Sequence, residues 1–208
     1  MNLLRQWLVA LLHLLFSWTH NYGLAIIALT VLVRLILYPL TASQMKASAQ
    51  LSKLQPKMKE IQEKYKDNPE EQQRRLMALY KESGVNPFGG CLPLLVQFPV
   101  LIALFNALNK FPYRGVPLFL GINLAEPASQ MFYALPILTA VTTYYQMTMT
   151  QVDPSQKAMM AFMPLLIGYV SIRFPAGLAL YWVVGNLLAI AQQYLMNRKL
   201  ASKERSGQ

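Results

Sequence analysis

Thr30-Val31-Leu32-Val33-Arg34-Leu35-Ile36-Leu37-Tyr38-Pro39 sets one guanidinium inside an apolar run that extends from Leu24 to Leu40. Such a run reads as a helix across a bilayer, where a straight span needs roughly 20 residues and a tilted or short one roughly 17 to 25. A cation inside it costs roughly 2.5 to 3.5 kcal/mol on insertion scales unless it meets water or an anion. Arg34 is about six residues from the end of the run, roughly 9 Å at 1.5 Å per residue, so its side chain has a snorkelling route to the headgroups. The alternative is a water-filled groove, which is how intramembrane ionisable residues are read by default.

Four further stretches have the same character: Gly90 to Leu108, Met131 to Met149, Ala158 to Ile172 and Gly177 to Met196. None of the five contains Asp or Glu, so no span supplies Arg34 with a counter-ion. The fourth is short, about 22 Å of helix, and calls for extension into its flanks or a thinned bilayer. Across the 208 residues 54% are apolar and 13% charged, too greasy for an ordinary soluble domain. The net charge of +10 does not signal nucleic acid, because long stretches carry no charge at all. A single cysteine, Cys91, and two histidines, His13 and His20, exclude an internal disulfide framework and a Cys-based zinc site. No metal, cofactor or catalytic residue is expected.

The expected fold is an all-α integral membrane protein of five transmembrane helices, with an interfacial helix and a helical hairpin outside the bilayer. Nine basic residues fall between the first two spans, one between the third and fourth, and four in the tail, against four on the opposite side. The basic-rich side is therefore cytoplasmic, with the N-terminus outside and the C-terminus inside. Residues 1–21 read as an interfacial helix on the outer side, with Gln6, His13, Ser17 and His20 drawing a polar stripe along a Leu/Trp surface. Residues 22–40 and 88–197 form the membrane core, 41–87 a cytoplasmic hairpin, and 198–208 a short basic tail.

In the hairpin Leu51, Leu54, Met58, Ile61 and Tyr65 recur three and four apart, a seam for a partner helix. Asn68, Pro69 and Glu71 mark the start of that partner, as cap, first helical residue and third member of a capping box, and Gly84 marks its stop. Lys53, Lys57, Lys59 and Tyr65 are the residues singled out for recruiting anionic headgroups or a partner; the plain alternative is a solvated connector. Nine bases against six acids leave this segment only mildly basic.

Polar residues recur in the other spans: Thr30 one turn from Arg34, Gln97 and Asn106 in the second, Thr139, Thr142, Thr143 and Gln146 in the third, Ser171 in the fourth, and Asn186, Gln192 and Gln193 in the fifth. Each is explicable as interhelical hydrogen bonding worth about 0.6 kcal/mol. With an unpaired cation they also describe a wet interior. Met131, Met147, Met149, Met159, Met160 and Met163 cluster around the third and fourth spans, either as adaptable apolar surface or as gap-filling.

Val33-Arg34 with Tyr38-Pro39-Leu40-Thr41, the stretch Asn86-Pro87-Phe88-Gly89-Gly90-Cys91-Leu92-Pro93 leading to Gln97-Phe98-Pro99, and Phe174-Pro175-Ala176-Gly177-Leu178 with Tyr181-Trp182 together resemble the YidC-type membrane protein insertases. The resemblance covers about Tyr22 to Asn197. It implies a groove open to the cytoplasm and lipid but closed outside, with Arg34 as the groove arginine, Thr30 beside it, and Tyr181 and Trp182 as the facing aromatics. It implies activity without nucleotide or metal. The partners it implies are nascent membrane proteins, the ribosome, the Sec translocon, the signal-recognition-particle receptor and membrane lipids, with a monomer sufficient for function. The large periplasmic domain and extra N-terminal span of many family members are not in this sequence, so a trimmed chain is expected.

The function expected is therefore insertion of membrane proteins, without enzymatic chemistry. A chaperone acting after Sec-dependent insertion is the nearer alternative. A small-solute transporter is disfavoured by the lack of intramembrane carboxylates and repeated halves. An intramembrane hydrolase is disfavoured by the lack of Gly-x-Ser-x-Gly and His-Glu-x-x-His patterns.

Overall fold

A computed structural model describes residues 2–84, 92–109, 111–113, 115–149 and 157–206. The stretch 86–91 and the side chains of Pro93, Gln97, Met131 and Met159 lie outside the described residues. In chain order the elements are α1 (Asn2–Thr19), α2 (Tyr22–Ile36), α3 (Tyr38–Lys64), α4 (Pro69–Glu82), α5 (Leu92–Asn109), β1 (Leu118–Phe119), β2 (Ile122–Asn123), α6 (Gln130–Met149), α7 (Lys157–Ser171) and α8 (Ala176–Ser206).

The first expected span is broken. α2 ends at Ile36 with Leu37 as its cap, and α3 begins at Tyr38 with Pro39 in its first turn, bent by 64° from α2. Proline explains the position of the elbow: Pro39 has no N–H for the carbonyl four residues back, and its ring would press on that carbonyl. The first helix of the hairpin thus begins at Tyr38, within the run expected as the first span. In the basic tail the helix continues, α8 running through to Ser206. Among the described residues one helix segment, Ala176–Lys199, is long and apolar enough to cross a bilayer, and the bent pair α2 and α3 also passes if taken together. The apolar parts of α1, α5 and α7 are shorter.

The core gathers where α1, α2, α5 and α8 meet. Leu8, Leu12, Ala25, Ile26, Leu29, Leu104, Leu108 and Leu178 form one buried cluster with Tyr22 and Tyr181. α1 therefore buries Leu8 and Leu12 among the other helices while Trp7, Leu14 and Trp18 stay exposed. His13 does not lie on a solvated stripe as the sequence suggested. It is half-buried, with its ring 4.6 Å from that of Phe111. Phe111 and Tyr113 pack edge-on to Tyr22, and Phe16 stacks on Tyr22 at 3.9 Å. Burial, and secondarily Tyr22, hold the Tyr113 phenol above its ordinary range.

α6, α7 and α8 pack side by side. Gly168 of α7 permits the closest approach, since a Cβ there would lie 2.8 Å from Ala140 Cβ of α6. A small element that the sequence reading missed, the β1–β2 hairpin, lies at the N-terminal ends of α2 and α8. Its Phe119 ring occupies the space that a side chain on Gly23 would need. The backbone just beyond it joins α8: the Ala176 N–H donates to the Glu126 carbonyl at 2.8 Å and the Gly177 N–H to the Leu124 carbonyl at 3.0 Å.

In the α3–α4 hairpin Met58 is fully buried, Tyr80 Oη lies 3.8 Å from its sulfur, and Leu79 is buried beside the seam. Asn68 Oδ1 accepts from the Glu71 N–H at 3.1 Å, the expected cap, and Gly84 takes φ +63° at the stop. The reciprocal half of the capping box does not form. The Glu71 carboxylate turns outward and accepts from Arg75 Nε at 2.8 Å and Arg74 Nη2 at 3.0 Å.

Replacing Gly23 by Ala should destabilise the protein by about 1–3 kcal/mol, the usual range for overpacking, measured as a lower thermal midpoint; Phe119→Ala should relieve that clash in the double variant. The hydrogen bonds from Arg75 and Arg74 hold the Glu71 carboxyl below its ordinary value. Their stabilisation of α4 is complete above the ordinary carboxylate range and is lost as pH falls through the lowered value. Hydrogen exchange of α4 amides should quicken in that acid window, and Glu71→Gln should remove the pH dependence.

Candidate functional site

Arg34 leaves α2 in its last turn and enters a groove whose walls come from three other helices. α3 contributes Thr41, Gln44, Met45 and Ser48, α6 contributes Gln146 and Met149, and α8 contributes Ala189, Ile190 and Gln193. Together they line a cavity of about 90 Å³ that opens to solvent. Thr41, Gln44 and Ser48 follow one another at three- and four-residue steps, so the first turns of α3 present a polar face to the groove. The 64° bend at Leu37 changes the direction of α3, so that these residues line the same groove as Arg34 instead of continuing along the axis of α2.

The guanidinium lies beside Gly185 of α8. A Cβ on Gly185 would lie 3.4 Å from Arg34 Nη2, 3.9 Å from Nε and 3.9 Å from Thr30 Cγ2. The side chain is thus laid against a bare stretch of α8 backbone. Among the described residues the ion pairs are those of Glu71 with Arg74 and Arg75 in the hairpin, and no carboxylate pairs with Arg34. The groove therefore carries a net positive charge beside neutral amide and hydroxyl groups. It offers an anionic or polar segment long-range attraction with little shape-specific binding.

The residues singled out from the sequence divide into groups. Arg34 and Gln146 line the groove. Thr30 adjoins Arg34 but is buried, with its hydroxyl donating to the Ile26 carbonyl at 2.7 Å, so it serves as wall rather than donor. Asn106 lies on α5 and donates to the carbonyl of Ile102 at 2.9 Å. Thr142 and Asn186 form a polar seam between α6 and α8: Asn186 Nδ2 donates to Thr142 Oγ1 at 3.1 Å and Thr143 Oγ1 at 2.9 Å. Trp182 joins that seam, its indole N–H donating to Thr143 Oγ1 at 3.1 Å, whereas Tyr181 is buried in the core cluster. Gln97 lies outside the described side chains. Lys53, Lys57 and Lys59 are exposed on α3, and Tyr65 is flanked by Lys64 Nζ at 5.7 Å and Arg75 Cζ at 5.8 Å from its ring centre. Sequence reasoning missed Thr41, Gln44, Ser48 and Gly185. The first three were read as hairpin, and Gly185 gave no signal without its neighbour in space.

Residues 14–204 match the family described as "60Kd inner membrane protein". The chain belongs to that family. Within the 60Kd inner membrane protein family it is similar to a protein of Geobacter sulfurreducens named "Membrane protein insertase YidC", 45% identical over 192 residues that cover 90% of this chain and 36% of the relative. A protein of the same name from Ralstonia nicotianae is 43% identical over 205 residues, 96% of this chain and 36% of its own length. The chain thus spans about a third of the length of these relatives. A solved structure titled "Active YidC insertase crystal structure with the first transmembrane domain resolved" superposes with a TM-score of 0.77 at 33% identity, covering 91% of this chain and 45% of that one. The resemblance drawn from the three sequence motifs is therefore a family relationship, and the helical fold is shared.

Asn186→Ala should separate packing from groove chemistry: losing its two interhelical bonds should lower the thermal midpoint by the equivalent of about 1 kcal/mol, with no change in the groove's response to client charge.

Proposed function

We propose that this chain is the membrane core of an insertase, which receives newly made membrane proteins in the Arg34 groove and releases their apolar segments into the bilayer. The observation that carries this reading is the Arg34 guanidinium, seated against Gly185 in an open groove with no carboxylate partner among the described residues. Relatives named as insertases support it. In this reading α2, α5, α6, α7 and α8 cross the membrane, α1 lies along its outer face, and the α3–α4 hairpin and the end of α8 face the cytoplasm, consistent with the basic residues concentrated there. The groove then opens toward the cytoplasm.

A client's acidic or polar segment is drawn to Arg34 and held briefly by the surrounding amides and hydroxyls. Its apolar segment meanwhile meets lipid beside α6 and α7, where Val141, Tyr144, Phe162 and Leu165 are exposed. Partitioning of that segment supplies the driving force, since apolar residues gain on entering hydrocarbon and the groove contacts are few. No bond is made or broken, so no enzymatic step is involved. The hairpin, with Lys53, Lys57, Lys59 and Tyr65 on or beside its exposed face, is the docking arm for ribosome-bound chains and for the Sec translocon or the signal-recognition-particle receptor. A purely folding role after insertion by another machine is the second reading.

Proteoliposomes holding only this protein and a small client with an acidic tail distinguish the two. The wild type should insert the client. Arg34→Ala should lower insertion by about fivefold or more, the effect of roughly 1 kcal/mol of lost attraction, while Arg34→Lys retains most of it. Unchanged insertion of strongly acidic clients by Arg34→Ala would sink the groove mechanism.

A further inference from the structure

The turn joining β1 to β2 consists of Leu120 and Gly121, both at positive φ, 51° and 81°. That is the pattern of a two-residue type I′ hairpin loop, whose first position favours Asn, Asp or Gly because a Cβ is disfavoured there. Leu120 is also 79% exposed. Neither backbone preference nor burial within the protein accounts for leucine at this tip.

The strand leading to it repeats the anomaly. Val116, Leu118 and Leu120 are exposed, whereas Pro117, inside a tight turn closed by the Leu118 N–H donating to the Val116 carbonyl at 2.9 Å, is buried and Phe119 is half-buried over Gly23. A strand with one face in water carries polar residues on that face. Here the exposed residues Val116, Leu118 and Leu120 are as apolar as the packed Pro117 and Phe119, and no charged residue occurs from Gly115 to Asn123. A cluster of exposed apolar side chains on a segment packed on its other side calls for an apolar partner there as well. The protein supplies the partner on the packed side.

The position of the hairpin identifies the other. Its exit is hydrogen-bonded through Leu124 and Glu126 to Gly177 and Ala176, the first residues of the segment long and apolar enough to cross a bilayer. Its inner face sits on Gly23, at the start of α2. Trp18, highly exposed, ends α1 five residues before Gly23. The hairpin tip and this tryptophan therefore mark the level at which the apolar spans begin, where aromatic and apolar side chains enter the headgroup and acyl boundary. We propose that Val116, Leu118 and Leu120 form a lipid anchor immersed in the outer leaflet, which pins the ends of α2 and α8 at a fixed depth on the side opposite the groove mouth. The inference rests on the membrane orientation given under the proposed function.

Spin labels on single cysteines test it, in the 208-residue chain carrying Cys91→Ser and reconstituted into phosphatidylethanolamine/phosphatidylglycerol vesicles. Labels at Leu118→Cys and Leu120→Cys are compared with Leu187→Cys, exposed midway along α8, and Lys59→Cys on the hairpin. Collisions with molecular oxygen should exceed those with a water-soluble nickel chelate at 118, 120 and 187, and the order should invert at 59. Nickel-dominated collisions at 118 or 120, with oxygen dominating at 187, overturn the anchor and leave the membrane orientation standing. Nickel dominance at 187 as well overturns both.

Discussion

A guanidinium cannot sit among apolar helices without a compensating environment, and the arrangement around Arg34 answers that demand. Two features of the chain act together. The break at Pro39 turns α3 so that Thr41, Gln44 and Ser48 line the groove with the charge, and Gly185 lets the guanidinium lie close against α8. Were α2 to run straight into α3, the cation would keep Gln146 and Gln193 nearby but lose the close polar wall that Thr41, Gln44 and Ser48 supply. The shape of the groove is thus set by the solvation of one charge.

The polar residues of the spans serve two separate ends. Asn186, Trp182, Thr142 and Thr143 satisfy one another and fasten α6 to α8, so their groups are not free for a passing chain. Gln146, one turn beyond Thr142, lies at the groove. α6 therefore divides along its length into a fastened part and a lining part. Such a division keeps the walls fixed while leaving the groove weakly binding, a useful property where a guest must depart.

Much of this was legible from residue order. The cap at Asn68, the stop at Gly84, the Met58 seam and the short fourth helix follow from side-chain chemistry and three- or four-residue spacing, and the structure has them where that chemistry puts them. The readings that failed were those that depend on space. Pro39 is visible in the sequence, but the 64° bend between α2 and α3 is not, because hydropathy runs on across it. His13 looked solvated because a helical wheel cannot see Phe111, nearly a hundred residues away in sequence. The β1–β2 hairpin escaped because its turn holds Leu-Gly, without the Asn or Asp that announces such loops. Glu71 occupied a capping-box position, yet two nearby arginines competed for its carboxylate and won.

α3 carries a mechanical implication. It is one helix from Tyr38 to Lys64, about 40 Å at 1.5 Å per residue, hinged at one end on the Leu37 elbow and bearing the hairpin tip at the other. Ser48 stands roughly 16 Å along it. The helix is thus a lever with the groove wall on its short arm: swinging the tip sideways by some distance shifts Ser48 by about two-fifths as much, before any flexure at Pro56, where one backbone rung is missing. Whatever grips the hairpin from outside also has a hand on the width of the groove.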